Sequence, residues 1–237
     1  GAYNFLSQLN AKERTRGVVA YSSGNHAQGV AAAANLLSIK STIVMPSDSP
    51  KVKLNNTILL GADVITYNRY TEDREVIANQ LVKSSKATLV PPYDHPWTIS
   101  GQGTVGLEIA SQTKNIGIIP DAILVCCGGG GLTAGISTVF AKVLPSTQIC
   151  IVEPDDFNDT GLSIQSGKRI SNSANKISIC DSLLVPTPGH LTLEINKKYV
   201  KNCLSVSDLE VRRAIYFAWH HLKVVLEPGG AVALAAV

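Results

Sequence analysis

Charge, aromatic rings and paired cysteines are all in short supply in this sequence. Only 16% of the 237 residues are charged, the net charge is +3, and no run of Lys or Arg exceeds two residues. That excludes the basic stripe of a nucleic-acid binder and the polybasic segment of a membrane-surface protein. No apolar run reaches the roughly 18 residues of a membrane span and no signal-peptide pattern opens the chain, so a cytoplasmic protein acting on a small molecule is expected. Five cysteines, at 126, 127, 150, 180 and 203, form neither a CxxC pair nor a Cys/His cluster. Reduced structural thiols are therefore expected, with neither a disulfide framework nor a zinc site. Aromatics make up 5% of a chain that is 45% hydrophobic, which leaves Val, Ile, Leu and Ala to fill the core. Such a mix suits buried parallel strands covered by helices.

What is present is an alternation. Apolar runs of strand length at 17–23, 41–47, 62–67, 87–92, 122–127 and 148–154 are separated by stretches with helical spacing, among them NHAQGVAAAANLL and LTAGISTVFAKVL. Repeated strand, helix, strand units predict an α/β fold with parallel sheets and right-handed crossovers. The segment 155–204 is richer in Ser, Asn, Lys and Pro and reads as a long surface connection. It ends at Ser207, where SDLE forms a capping box between Ser207 and Glu210 before another helix.

Two strand-to-helix junctions carry the chemistry. In AILVCCGGGGLTAG, residues 122–135, four consecutive glycines give up about 2 kcal/mol relative to alanine unless something occupies the bend. A phosphate at the positive end of the following helix is such an occupant. Gly129, Gly131 and Ala134 also fit GxGxxA, with Glu153 about twenty residues on, so an NAD-binding Rossmann protein is one alternative; the absence of GK[ST] argues against a nucleotide triphosphatase. The second junction, SSGNHAQG at 22–29, packs two hydroxyls, an amide and an imidazole into one loop. It reads as a carboxylate site or, from spacing alone, as an N-cap for the next helix.

At this point the residues resemble a family. GAYNFLSQL, SSGNHAQG, RYTEDRE, PPYDHPWTISGQGT, CGGGGLTAG, VEPDDFND and LEPGGAVALAAV, in order along the whole chain, are similar to successive motifs of the fold-type II pyridoxal phosphate enzymes, specifically the threonine/serine dehydratase and serine racemase group. The resemblance implies a tryptophan synthase beta-like fold of two parallel-sheet α/β domains with the cofactor in the cleft. Residues 17–95 would be the small mobile domain; 1–16 and 96–237 would be the large cofactor-binding domain, truncated at both ends.

Site roles follow by resemblance. Gly128, Gly129, Gly130, Gly131 and Leu132 would hold the 5′-phosphate, so that a side chain at Gly130 would fill the phosphate volume. Asn25 would lie beside the cofactor ring, and Ser22, Ser23, Asn25 and His26 would bind the substrate carboxylate. Ser23 would face the substrate from the side opposite the Schiff-base lysine and move a proton there. Arg74 is the counterpart of an arginine that closes over the carboxylate, although the residues alone also fit a solvated helical face. Glu153, the carbonyl of Phe157 and Asp159 keep the spacing of a divalent cation site, whose oxygen ligands favour Mg²⁺ or Ca²⁺; a plain polar loop is the alternative.

The lysine belongs to a KxRGA motif and would lie just upstream of Gly1, and the residue that meets the pyridine nitrogen would lie beyond Val237. The implied reaction is β-elimination from threonine or serine to a 2-oxo acid and ammonia, by a homodimer. Serine racemisation and dehydration of threo-3-hydroxyaspartate remain alternatives within the same group.

Overall fold

The computed structural model describes residues 1–22, 24–173 and 175–237. Two compact units emerge, Gly1–Gly101 and Gln102–Val237. The first opens with short helices α1 (Ala2–Ser7) and α2 (Ala11–Arg16), followed by β1 (Val18–Tyr21), α3 (Asn25–Leu36), β2 (Ser41–Pro46), α4 (Lys51–Leu59), β3 (Asp63–Tyr67), α5 (Arg74–Ser85) and β4 (Thr88–Leu89). Its sheet is parallel with strand order β3-β2-β1-β4. Consecutive parallel strands need a helical crossover, and α3, α4 and α5 supply it.

The core of this unit is built from Val18, Ala20, Val30, Ile43 and Met45 with Phe5, Leu6 and Leu9. Residues 1–16, which the sequence places with the larger domain, thus share a core with β1 and α3. The reason is local: α1 and the turn after it carry three large apolar side chains, and burying them against α3 removes them from water at about 1.5–3 kcal/mol each.

Helix α6 (Pro96–Asn115) contains the boundary between the units. The second unit continues through β5 (Ala122–Cys126), α7 (Gly131–Val143), β6 (Gln148–Pro154), α8 (Asp159–Ser166), α9 (His190–Tyr199), β7 (Val200–Val206), α10 (Asp208–Phe217) and α11 (Pro228–Ala235). Its sheet, also parallel, has the order β5-β6-β7. Strand β7 and helices α8 and α9 correct the reading of 155–204 as a surface connection. VKNCLSV is polar because β7 is an edge strand with mostly exposed middle positions, and a register shift at Ile149/Cys150 breaks any clean alternation.

The capping box is present as expected: Ser207 Oγ accepts from Glu210 N–H at 3.3 Å and Glu210 Oε2 from Ser207 N–H at 2.7 Å. All five cysteines are free thiols. Among the described residues, no helix is long and apolar enough to cross a membrane.

Candidate active site

The glycine loop leaves β5 and enters α7. Cys127 N–H still donates to Val152 O at 2.9 Å, so the ladder to β6 holds the loop's entrance. Gly130 is the N-cap of α7 with φ +85°, and no side chain caps the helix. A Cβ there would stand 2.7 Å from Asn196 Nδ2 and 3.2 Å from the Thr192 side chain. Glycine is required by the positive φ and by that approach, not because its missing side chain would enter the phosphate volume, as the sequence suggested. The N–H groups of Gly131, Leu132 and Thr133 have no acceptor among the described residues. In the same turn the Thr133 hydroxyl is buried; it approaches the Cys127 thiol but completes no hydrogen bond. An uncapped helix N-terminus with an orphan buried donor fits a bound phosphate.

Three buried side chains hold the loop from behind. Thr160 Oγ1 donates to Gly128 O at 3.3 Å, Thr192 Oγ1 to Gly129 O at 2.7 Å and Asn196 Nδ2 to Gly130 O at 3.2 Å. All three side chains are 0% exposed. Sequence reasoning missed them because they lie on α8 and α9. The i, i+4 spacing of Thr192 and Asn196, which sets both on one helix face, was the only available signal.

Glu153 ends β6 fully buried. Its Oε1 accepts from Thr160 N–H at 3.1 Å and its Oε2 from Gly161 N–H at 2.8 Å, so it caps the start of α8. A carboxylate so engaged is not presented to a ribose hydroxyl, and the dinucleotide alternative loses its acidic residue. Burial pushes the Glu153 carboxyl up to about 8, against the pull of those N–H donors and with help from the negative charge of Asp159. Asp159 is also buried and pushed up to about 6 by desolvation. Its side chain accepts from Asn172 Nδ2 at 2.6 Å through Oδ1, while Oδ2 has no partner. Phe157 lies in the short 3₁₀ turn Asp155–Phe157 between them. A cavity of about 90 Å³ adjoins Glu153, Asn158, Gly161 and Ser205. Two buried carboxyls close enough to interact electrostatically, one with an orphan oxygen, have the donor chemistry of a hard divalent cation, although among the described residues no three His, Cys, Asp or Glu side chains gather around one point.

In the first unit, Ser22 follows β1 and donates its N–H to Val44 O at 3.1 Å; its Oγ accepts from Gly24 N–H at 3.3 Å. Gly24 is the N-cap of α3 and has no side chain with which to cap it. Asn25 is the first residue of α3 and is exposed. Ser23 lies outside the described residues. Lys53, on α4, is 9% exposed. Its Nζ comes within 3.3 Å of where a Gly24 Cβ would sit.

One ring nitrogen of His26 is engaged by the backbone. Its Nε2 lies 3.1 Å from Val90 O, tying α3 to the strand end after β4, and desolvation pushes its pKa down to about 4. A folded value below the ordinary 6.5 means that the unfolded chain binds the proton more readily. The stability this provides is complete above pH 6.5 and declines as pH falls towards about 4. We expect the unfolding free energy of the protein to fall across that window, and His26→Gln, which keeps a donor for Val90, to flatten the slope in urea titrations.

Arg74 opens α5 after the N-cap Asp73, whose Oδ1 accepts from Glu75 N–H at 2.7 Å. The guanidinium is half-buried and sits 5.3 Å from the ring centroid of Tyr21, the last residue of β1 before Ser22. Tyr67, at the end of β3, also interacts with it. These contacts differ from a solvated helical face and hold a cation at the carboxyl ends of the strands, where open α/β sheets bind ligands.

Parallel α/β units with an uncapped glycine loop at a strand-to-helix junction define a phosphate-cofactor α/β enzyme. The sequence model of the pyridoxal-phosphate dependent enzyme family matches residues 1–237, and the chain belongs to that family. It is 40% identical over 235 residues to L-threo-3-hydroxyaspartate ammonia-lyase of Saccharomyces cerevisiae, covering 99% of this chain and 71% of that protein. It is 38% identical to serine racemase of Schizosaccharomyces pombe, covering 100% of this chain and 72% of the relative. Among solved structures, the processed form of threonine deaminase isoform 2 from Solanum lycopersicum superposes with TM-score 0.91 at 35% identity, covering 99% of this chain and 67% of that one. The fold class and the family expected from the motifs are both borne out.

Proposed function

We propose that this protein is a pyridoxal-phosphate dependent ammonia-lyase that eliminates the β-hydroxyl of a small hydroxy amino acid, threonine or serine, to give a 2-oxo acid and ammonia. The observation that carries the reading is the glycine loop, whose carbonyls are engaged from behind while the first N–H groups of α7 stay open. The relatives' names support the substrate class. When bound, pyridoxal phosphate supplies the electron sink that makes a substrate's Cα proton removable.

Gly128–Gly131 and Leu132 hold its phosphate, and Asn25 orients its ring. The Ser22 hydroxyl and the N–H groups that open α3 bind the substrate carboxylate, with Ser23 and His26 in the same loop; His26 also braces that helix through Nε2. The base that takes the Cα proton is the lysine expected upstream of Gly1. We read the protein as a cytoplasmic homodimer, in keeping with its free thiols and with the resemblance.

Arg74 favours a second reading of the substrate. A half-buried arginine beside the carboxylate loop suits a substrate with a second carboxylate, and the relatives from Saccharomyces cerevisiae and a Pseudomonas species are named for L-threo-3-hydroxyaspartate. One assay with L-threonine, L-serine and L-threo-3-hydroxyaspartate, following ammonia, 2-oxo acids and D-amino acids together, decides. We expect ammonia and 2-oxo acid in equal amounts. A rate on hydroxyaspartate far above that on threonine moves the substrate assignment, and D-serine with little ammonia overturns the lyase reading.

Glu153, the Phe157 carbonyl and Asp159 are proposed to hold Mg²⁺ or Ca²⁺. A saturating ion adds roughly 2.7 kcal/mol at a hundred times its Kd, which shifts Tm by about 5–10 °C in a chain of this size. We expect EDTA to lower Tm by such an amount, Mg²⁺ to restore it, and Asp159→Ala to abolish the response. A wild-type enzyme indifferent to both additions removes the site.

A further inference from the structure

The glycine loop has no side chains with which to fix its own peptide planes. In a trans peptide the carbonyl of one residue and the N–H of the next point to opposite sides of the chain. Fixing Gly128 O therefore sets the Gly129 N–H, fixing Gly129 O sets the Gly130 N–H, and fixing Gly130 O sets the Gly131 N–H. Thr160, Thr192 and Asn196 take those three carbonyls in turn, and the shortest of the bonds, 2.7 Å, is that of Thr192. A second donor, Gly189 N–H, reaches Gly129 O at 3.4 Å from the N-cap of α9.

We propose that Thr192, with Thr160 and Asn196 in support, is a positioning residue for the cofactor phosphate: the clasp turns three successive N–H groups of the glycine loop to the face opposite α8 and α9 and holds them there before the ligand arrives. The inference rests on the reading of this loop as the phosphate site. Its physical basis is preorganisation. Ordering a glycine's backbone costs conformational entropy, and a loop already ordered in the free protein does not take that cost from binding.

A role confined to the phosphate predicts selectivity between two ligands that differ only there. In the apoenzyme of the full chain, dissociation constants for pyridoxal 5′-phosphate and for pyridoxal are measured by visible difference spectroscopy. Thr192→Val, which keeps the shape and removes the hydroxyl, is expected to weaken pyridoxal phosphate roughly tenfold, the equivalent of one lost hydrogen bond, and to leave pyridoxal within about twofold. Thr192→Ser should recover most of the loss. Thr160→Val, whose bond is longer, should show the same selectivity at smaller size and carries the test if Thr192→Val does not fold.

Equal weakening of both ligands means that Thr192 only packs the fold, and no weakening of either means that the loop orders itself; each overturns the proposal. Gly131→Pro separates this from the underlying reading, because proline is tolerated at the first helical position and removes one of the oriented N–H groups. If Gly131→Pro leaves the ratio of the two affinities unchanged, the loop is not the phosphate site and both fall. If it collapses the ratio while Thr192→Val does not, only the clasp falls.

Discussion

Gly130→Leu is expected to strip the enzyme of its cofactor and to lower its thermal stability at the same time. Two costs combine at this residue. Its φ of +85° is a conformation that leucine adopts only at about 1–2 kcal/mol. The new Cβ would also lie 2.7 Å from Asn196 Nδ2 and 3.2 Å from Thr192, both buried on α9, and overpacking of this kind costs about 1–3 kcal/mol. The cheapest relief is for the loop to move away from α9, which breaks the bonds to Gly129 O and Gly130 O and turns the N–H groups out of register. Cofactor affinity should fall on the order of a hundredfold or more. The check is visible absorption of protein purified with excess pyridoxal phosphate, alongside a melting curve. Full cofactor content at an unchanged Tm would contradict the placement of the loop against α9.

The same residue shows how far the sequence could be read. That four glycines after an apolar strand mark a bare strand-to-helix loop with an open helix N-terminus was legible, because such backbone before a helix has few other uses. Why each glycine is a glycine was not, since the answer for Gly130 lies on a helix more than sixty positions downstream. The α/β alternation was likewise legible from β1 to β6, where short apolar runs such as VVAY, TIVM, AILV and ICIV mark the strands. It failed at β7, an edge strand whose exposed positions carry Lys201, Asn202 and Ser205, and at α8 and α9, whose polar outer faces resemble loop composition. Glu153 was seen as functional for its place at a strand end, but its bonds to Thr160 and Gly161 depend on a helix the sequence did not announce. His26 shows a different gap: a histidine inside a recognised motif was read as a ligand, and the approach of its Nε2 to Val90 O, which depends on the strand end after β4, was not legible.

Removing the Ser23 hydroxyl is expected to divide two reactions that share one pocket. Elimination needs a proton taken from Cα on one face only, whereas racemisation needs a donor on the other face within hydrogen-bond reach of the same carbon. By the family resemblance that second donor is Ser23. A positioned acid or base contributes about 10²–10⁴ to rate, so Ser23→Ala should reduce any D-serine formation from L-serine by at least about a hundredfold. Elimination should persist in substantial part, because the proposed carboxylate contacts of the Ser22 hydroxyl and of backbone N–H groups at the start of α3 are left chemically intact by an alanine at 23. The measurement is D-serine by chiral separation and 2-oxobutanoate from L-threonine, in wild type and variant at equal cofactor content. D-serine formation that survives Ser23→Ala would place the second proton donor elsewhere. Parallel loss of both products would instead give Ser23 to carboxylate binding alone, and the balance between lyase and racemase would then have to be set by another group.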